Sequence, residues 1–370
     1  MYTHDIEQLL NTVFVAIREQ RLIDASESAE LLAERHSDFL LGQLLHAELQ
    51  STLALSPSLL DSDLPFSPRL MDLIMEAQTR VNQSPQAVNE QQLPANLLQL
   101  GSDVQHVVAV DLEQSRLYLI NNDQNGPRVI NQHYAGSGRG GYGKQLEGDL
   151  RTPTGIYQVT HFRSDDSLPP LYGSGALTLD YPNPMDRLQR RTGSGIWLHG
   201  VPPDNLSRAP RSSEGCVVMP NDMLTQLQRS VDLKHTLVVL SGHLDWTTAQ
   251  DLSPNRDSYL KLFERYQHAW KAADTDDLSR MHSKTLFDSV VAPRIKPNSQ
   301  FSSEMAAVKS DDITVLRYPD FPDLESQERI MMRFTLPETQ HSPKRVTLFW
   351  EQDDQRQWHI VEFNEETDPV

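Results

Sequence analysis

Residues 196–219 read "IWLHGVPPDNLSRAPRSSEGCVVM". An apolar run ends at His199, and Gly200 follows it. Seventeen positions after His199 comes Cys216, directly behind Gly215. Cys216 is the only cysteine in the 370 residues. A lone cysteine ordinarily behaves as a small buried hydrophobe. To act as a nucleophile it needs a base, a group that orients the base, and donors for the oxyanion. An unassisted thiol with a pKa of about 8.5 is mostly protonated at neutral pH. His199, at the end of a strand pattern, can supply the base. A backbone carbonyl beside it can fix its tautomer in place of the aspartate of a triad. The glycine before the cysteine leaves an amide open to a substrate carbonyl. Cys216 and His199 are therefore the candidate nucleophile and base, with a plain core thiol as the rival reading.

Outward from this stretch the chain reads as short strands. "HVVAVDLEQSRLYLI" (106–120), "RVINQHYAG" (128–136), "GIYQVTHF" (155–162), "GALTLDY" (175–181) and "HTLVVLSG" (235–242) are apolar, β-rich runs bounded by Gly, Pro, Asn and Asp. Only "NDMLTQLQRSV" (221–231) has helical spacing. Residues 101–242 are thus predicted to form one mostly β domain.

The flanks differ. Leu9, Leu10, Val13, Phe14 and Ile17, then Leu31, Leu32, Phe39, Leu40, Leu41, Leu44, Leu45 and Leu49, recur at helical spacing. Residues 1–55 are predicted as a helical segment, and a tetratricopeptide-type hairpin or a plain packing module would both fit. Residues 56–100, rich in Ser, Pro, Gln and Asn, read as a linker holding one helix, Pro68 to Asn82. Residues 243–256 read as a second linker. In 257–370, Leu260, Leu262, Phe263, Tyr266 and Trp270 mark a long helix. Strands follow, ending in a hairpin that turns at Asp353 and Asp354, an α+β pattern.

A net charge of −18 and a pI near 5.1 argue against nucleic acid and against an anionic membrane surface. No run approaches the length of a membrane span. "MYTHDIEQLL" (1–10) lacks a signal peptide's basic and apolar regions. The glycine-rich "GSGRGGYGKQ" (136–145) fits G-x-G-x-x-G and also G-x-x-x-x-G-K. Both motifs require a following helix, and "LEGDLRTPTGIY" (146–157) forbids one. Gln145 also stands where a P-loop carries Ser or Thr. A loop between strands is expected instead. No metal pattern is present and no cofactor is expected. Asn82-Gln83-Ser84 and Asn205-Leu206-Ser207 fit the glycosylation sequon, a pattern common by chance.

The span from about 106 to 241 resembles the L,D-transpeptidase catalytic domain, also called YkuD. That family carries H-G, a spacer, then Ser or Thr followed by H-G-C-x and Arg or Asn. Here stand His199-Gly200 and Ser213-Glu214-Gly215-Cys216-Val217-Val218. "RTPTGIYQV" (151–159) resembles the family's TPxGxF strand, and "YAGSGRGG" (134–141) falls at its VSTG-type turn. "LDYPNPMDRLQRRTGSGIWLHG" (179–200) is similar to the YafK-like branch. Glu214 replaces the second family histidine and Val218 the arginine or asparagine.

The resemblance implies a peptidoglycan stem peptide as substrate, with Cys216 as nucleophile and His199 as base held by the Gly200 carbonyl. It also implies that the Gly215 and Cys216 amides form the oxyanion site. Tyr181, Asn183, Asp186 and Arg190 are expected to line the cleft, and Ser213 to orient the nucleophile loop or contact substrate. Cross-linking, attachment of a wall protein, hydrolysis, or a non-catalytic scaffold role all remain open at this stage. A wall substrate implies the periplasm, with an export signal absent from this chain. The flanks resemble known company of this domain. The C-terminal part is similar to the cone-shaped SnoaL-like, nuclear transport factor two-like fold, and either flank is a candidate docking part for an envelope partner.

Overall fold

The computed structural model describes residues 2–54, 68–82, 91–202, 208–296, 299–319, 327–337 and 343–367. Both sequons reach outside these residues. Near the N-terminus the leucine stripes form α1 (Tyr2–Arg18), α2 (Leu22–Arg35) and α3 (Leu40–Leu53). Leu10, Val13, Phe14, Leu32, Phe39, Leu45 and Leu49 bury one another between them. Helix α4 (Pro68–Asn82) closes this core with Leu73, Ala77 and Val81.

The catalytic-domain candidate is an eight-stranded sheet. Its strands are β3 (His106–Asp111), β4 (Arg116–Asp123), β5 (Gly126–Tyr134), β7 (Gly155–Ser164), β8 (Gly175–Leu179), β9 (Trp197–His199), β11 (Val217–Val218) and β12 (Leu237–Ser241). The spatial order is β11-β9-β8-β7-β12-β3-β4-β5. Strands β6 (Ser137–Gly138) and β10 (Arg211–Ser213) pair separately beside it. The unbroken apolar look of β3 and β12 has a physical cause: both faces of the sheet are buried. Val108, Val110, Val238 and Leu240 face one core, which holds α6 (Asn221–Ser230) through Met223, Leu224 and Leu227. Val107, Ala109, Leu237 and Val239 face a second core.

That second core is shared with the C-terminal part through Leu316, Tyr318, Met331 and Phe349. There the sheet runs β17 (Trp358–Thr367), β16 (Lys344–Gln352), β15 (Arg329–Leu336), β14 (Thr314–Arg317) and β2 (Leu97–Gln99). Helix α7 (Ala249–Ala272) packs on its other face through Tyr259, Phe263, Tyr266 and Trp270. The three-part order of helices, mostly β middle, and helix plus sheet is thus present. The last hairpin turns at Asp353, whose carboxylate caps the Gln355 and Gln357 amides.

Two expected linkers are structured. Within 56–100, β1 (Gln92–Pro94) pairs with β13 (Trp246–Thr248), and β2 forms the edge of the C-terminal sheet. Three-residue strands are too short to show a period. Within 243–256, Thr248 caps α7 by accepting the Asp251 amide. Pro254, six residues into α7, lacks the amide that would donate to the Gln250 carbonyl, yet the helix continues through it.

Candidate active site

The site is built where β11 runs parallel to β9, with Val217 opposite Leu198 and Val218 opposite His199. Cys216 directly precedes β11 and His199 ends β9, so this pairing sets the two residues on neighbouring strands. His199 is 3% exposed. Its Nδ1 lies 2.7 Å from the Gly200 carbonyl oxygen. A carbonyl only accepts, so Nδ1 carries the proton and Nε2 keeps its lone pair for a substrate-side proton. Burial pulls the His199 pKa down to about 4, against the raising effect of the Gly200 carbonyl. The Tyr172 ring stands edge-on to the imidazole at 4.9 Å.

The turn after His199 depends on Asn221, a residue the sequence did not single out. Its Oδ1 accepts from the Ser174 and Val201 amides, at 3.0 and 3.1 Å, and its Nδ2 donates to the Val201 carbonyl at 2.8 Å. A side chain at Gly200 would put its Cβ 2.0 Å from Asn221 Oδ1. Gly200 therefore both supplies the carbonyl and leaves room for the residue that holds the turn.

The Cys216 thiol, half-buried, donates to the Gly195 carbonyl at 3.4 Å. Burial pushes it up to about 11, opposed by a hydrogen bond from the Trp197 amide. The resting pair is therefore a neutral thiol and a neutral imidazole. Gly215 has φ near +131°, and an added Cβ would meet the Arg151 carbonyl oxygen at 2.8 Å, so only glycine fits before Cys216.

Buried Ser213 clamps this loop: its Oγ donates to the Cys216 carbonyl at 2.6 Å and accepts from the Gly215 amide at 3.1 Å. Two expectations change here. Ser213 holds the loop rather than contacting substrate. The Gly215 amide, expected as an oxyanion donor, is engaged within the loop by Ser213 Oγ.

The cleft expectation also needs correction. Buried Asn183 caps α5 (Pro184–Leu188), accepting the Asp186 amide while Asp186 accepts the Asn183 amide. Asp186 further pairs with Arg191 at 3.1 Å, and Asn183 Nδ2 donates to the Ile156 carbonyl. Buried Tyr181 donates its hydroxyl to the Thr192 carbonyl. These three side chains are turned inward and offer a substrate no surface. Arg190 is exposed, in a left-handed turn after α5.

Glu214 is exposed and pairs with Arg139 at 2.7 Å, while Val218 is 1% exposed within the sheet. In the glycine-rich loop no helix follows β6, and Lys144 is buried against Asp149 at 2.7 Å, leaving no phosphate cradle.

Arg208, also missed from sequence, lies against the nucleophile loop, its Nη2 donating to the Ser212 carbonyl at 2.8 Å. It stands in the spacer, eight positions before Cys216, where no local pattern marks it.

Residues 105–240 match the family model of the L,D-transpeptidase catalytic domain, YkuD. No curated protein matches the chain. Among solved structures, Bd1075 from Bdellovibrio bacteriovorus is 23% identical, over 75% of this chain and 99% of its own, with a TM-score of 0.56. The helical cell shape determining protein Pgp2 from Campylobacter jejuni is 22% identical, over 73% of this chain and 95% of its own, with a TM-score of 0.53. At these identities the likeness is one of fold, and it extends beyond the catalytic domain into the flanks.

Proposed function

We infer that the L,D-transpeptidase catalytic domain at residues 105–240 works as a cysteine acyltransferase on peptidoglycan stem peptides. The observation that carries the reading is the hydrogen bond from His199 Nδ1 to the Gly200 carbonyl, on a strand paired in register with the one Cys216 enters. It leaves Nε2 as the proton acceptor.

The Cys216 sulfur attacks the carbonyl that follows the L-centre of diaminopimelate as His199 Nε2 takes the thiol proton. The Cys216 amide meets the oxyanion. The C–N bond breaks, the leaving amine receives the proton from His199, and a thioester remains. A neutral thiol at rest suits this concerted order, because the charge separates only as the substrate excludes water. The acceptor then sets the outcome. An amine from another stem gives a 3-3 cross-link, and a protein lysine gives attachment. Water gives a shortened or split peptide. Such a substrate places the protein in the periplasm.

Mass spectrometry of disaccharide tetrapeptides and cross-linked dimers after incubation tests the reading, with Cys216→Ala as control. New 3-3 dimers absent with the variant support transfer, and cysteine-dependent shortening supports hydrolysis. No change by a folded protein would sink the catalytic reading and leave a scaffold role.

A further inference from the structure

Arg208 is pinned at both ends. Its carbonyl accepts the Tyr134 hydroxyl at 2.8 Å, and its guanidinium rests on the Ser212 carbonyl, next to the Ser213 clamp. Tyr134 is itself buried beneath the Arg80 guanidinium, 4.1 Å from the ring centre. Among the cations nearby, Lys144 pairs with Asp149, Arg139 pairs with Glu214, and Arg163 lies over the Trp197 ring at 5.2 Å. No carboxylate of a described residue forms an ion pair with Arg208. Burial depresses its pKa, as does the neighbouring Arg139. Asp72 on α4 and the Cys216 sulfur act in the opposite sense. A half-buried guanidinium with no ion-pair partner among the described residues can be taken bidentately by a carboxylate. Val218, buried in the sheet, offers no cation of its own.

We propose that Arg208 is the anion subsite of the active centre and grips the free terminal carboxylate of the acyl donor, on the residue that leaves. This rests on the acyl-transfer reading. With the scissile carbonyl at Cys216 Sγ, a donor cleaved one residue from its end places that carboxylate beside the loop that Arg208 holds through the Ser212 carbonyl. A donor whose end is amidated or already cross-linked loses this contact. The site thereby selects uncross-linked stems with a free carboxyl end.

The test uses the full chain with Arg208→Gln and Arg208→Lys, and stem tetrapeptides with a free or an amidated C-terminus. For Arg208→Gln, KM for the free acid is expected to rise about 10- to 100-fold more than KM for the amide, with partial recovery in Arg208→Lys. Equal losses on both peptides overturn the proposal. A second readout needs no turnover: the rate ratio of Cys216 alkylation by iodoacetate and by iodoacetamide, with the thermal midpoint as fold control. A cation beside the thiol favours the anionic reagent, so Arg208→Gln should lower the ratio several-fold. An unchanged ratio overturns the anion site. If the wild type forms no acyl-enzyme with either peptide, the acyl-transfer reading fails, and the alkylation ratio still decides whether Arg208 serves an anion.

Discussion

Replacing Arg80 with leucine removes a cation shared by three groups. Its guanidinium lies 2.9 Å from Glu7 and 2.8 Å from Glu76, and stacks over Tyr134 of the catalytic sheet. Side-chain exposure is 4% for Arg80, 2% for Glu76 and 22% for Glu7. Breaking a buried ion pair from one side costs about 3–5 kcal/mol, because the partner charge stays buried. The stacking adds about 0.5–2 kcal/mol. Glu7 is partly wet and softens the loss, so a total of about 3–5 kcal/mol is expected.

The sign with pH follows. Burial works to raise the Glu7 pKa, yet the Arg80 charge outweighs it and holds the carboxyl below its usual range. In the wild type this stabilisation is present above the unfolded pKa and is lost as pH falls. In Arg80→Leu burial is opposed only by the smaller effects of the Arg116 and His133 charges, so the penalty is greatest at neutral pH and relieved as the carboxyl takes a proton. The gap between the proteins should therefore narrow from pH 7.5 to pH 4.5. Urea unfolding followed by far-ultraviolet circular dichroism measures it. A loss under about 1 kcal/mol, the range of an ordinary surface change, refutes the reasoning, as does a gap that ignores pH. Adding Glu7→Gln and Glu76→Gln to Arg80→Leu should recover most of the loss.

Ser213→Ala breaks the clamp on the nucleophile loop and should cost about 1–3 kcal/mol of stability, with a larger fall in kcat than in substrate binding. Steady-state kinetics on muropeptides, with Ser213→Thr as the variant that restores activity, checks this. With burial holding Cys216 near 11, its alkylation by iodoacetamide should keep climbing past pH 9, and a plateau near neutrality would show a resting thiolate instead. His199 must be neutral to accept a proton, and burial holds it near 4. Activity should therefore fall only as pH drops through that region. Asp180 accepts the Gln158 amide, and burial raises its carboxyl to about 7. The folded state holds this proton more tightly, so stability is highest below the unfolded pKa and declines as pH rises through about 7. Asp180→Asn should flatten that slope in thermal melts between pH 4 and 8.

What the sequence disclosed followed from the length of each signal. The leucine stripes of α1 to α3 and the tryptophan hairpin span enough residues for a period to appear. Cys216 and His199 could be picked out as candidates because a nucleophile needs a base and few residue types can serve. The block at 181–186 misled for a physical reason: Asn, Pro and Asp at those spacings also make a capping box with proline at the first helical position. Read as a helix start, it would have been placed inside. Arg208 and Asn221 carry no local pattern, and their roles exist only once distant strands meet. "QLPANLLQL" (92–100) looked like a linker because its partners, β13 and β14, lie far along the chain.

That last pairing governs how the molecule can be made. Gln99 donates its side-chain amide to the Ile313 carbonyl, 214 positions later, and β2 closes the C-terminal sheet against β14. During synthesis this strand leaves the ribosome early and must wait for the whole catalytic domain to emerge before its neighbour exists. The catalytic domain is inserted between two strands that lie side by side in the C-terminal sheet, like a bead on a clasped cord. A fragment starting at residue 257 would emerge with β14 bare along one edge, an invitation to pair with a second chain. One starting at residue 91 would carry the clasp with it.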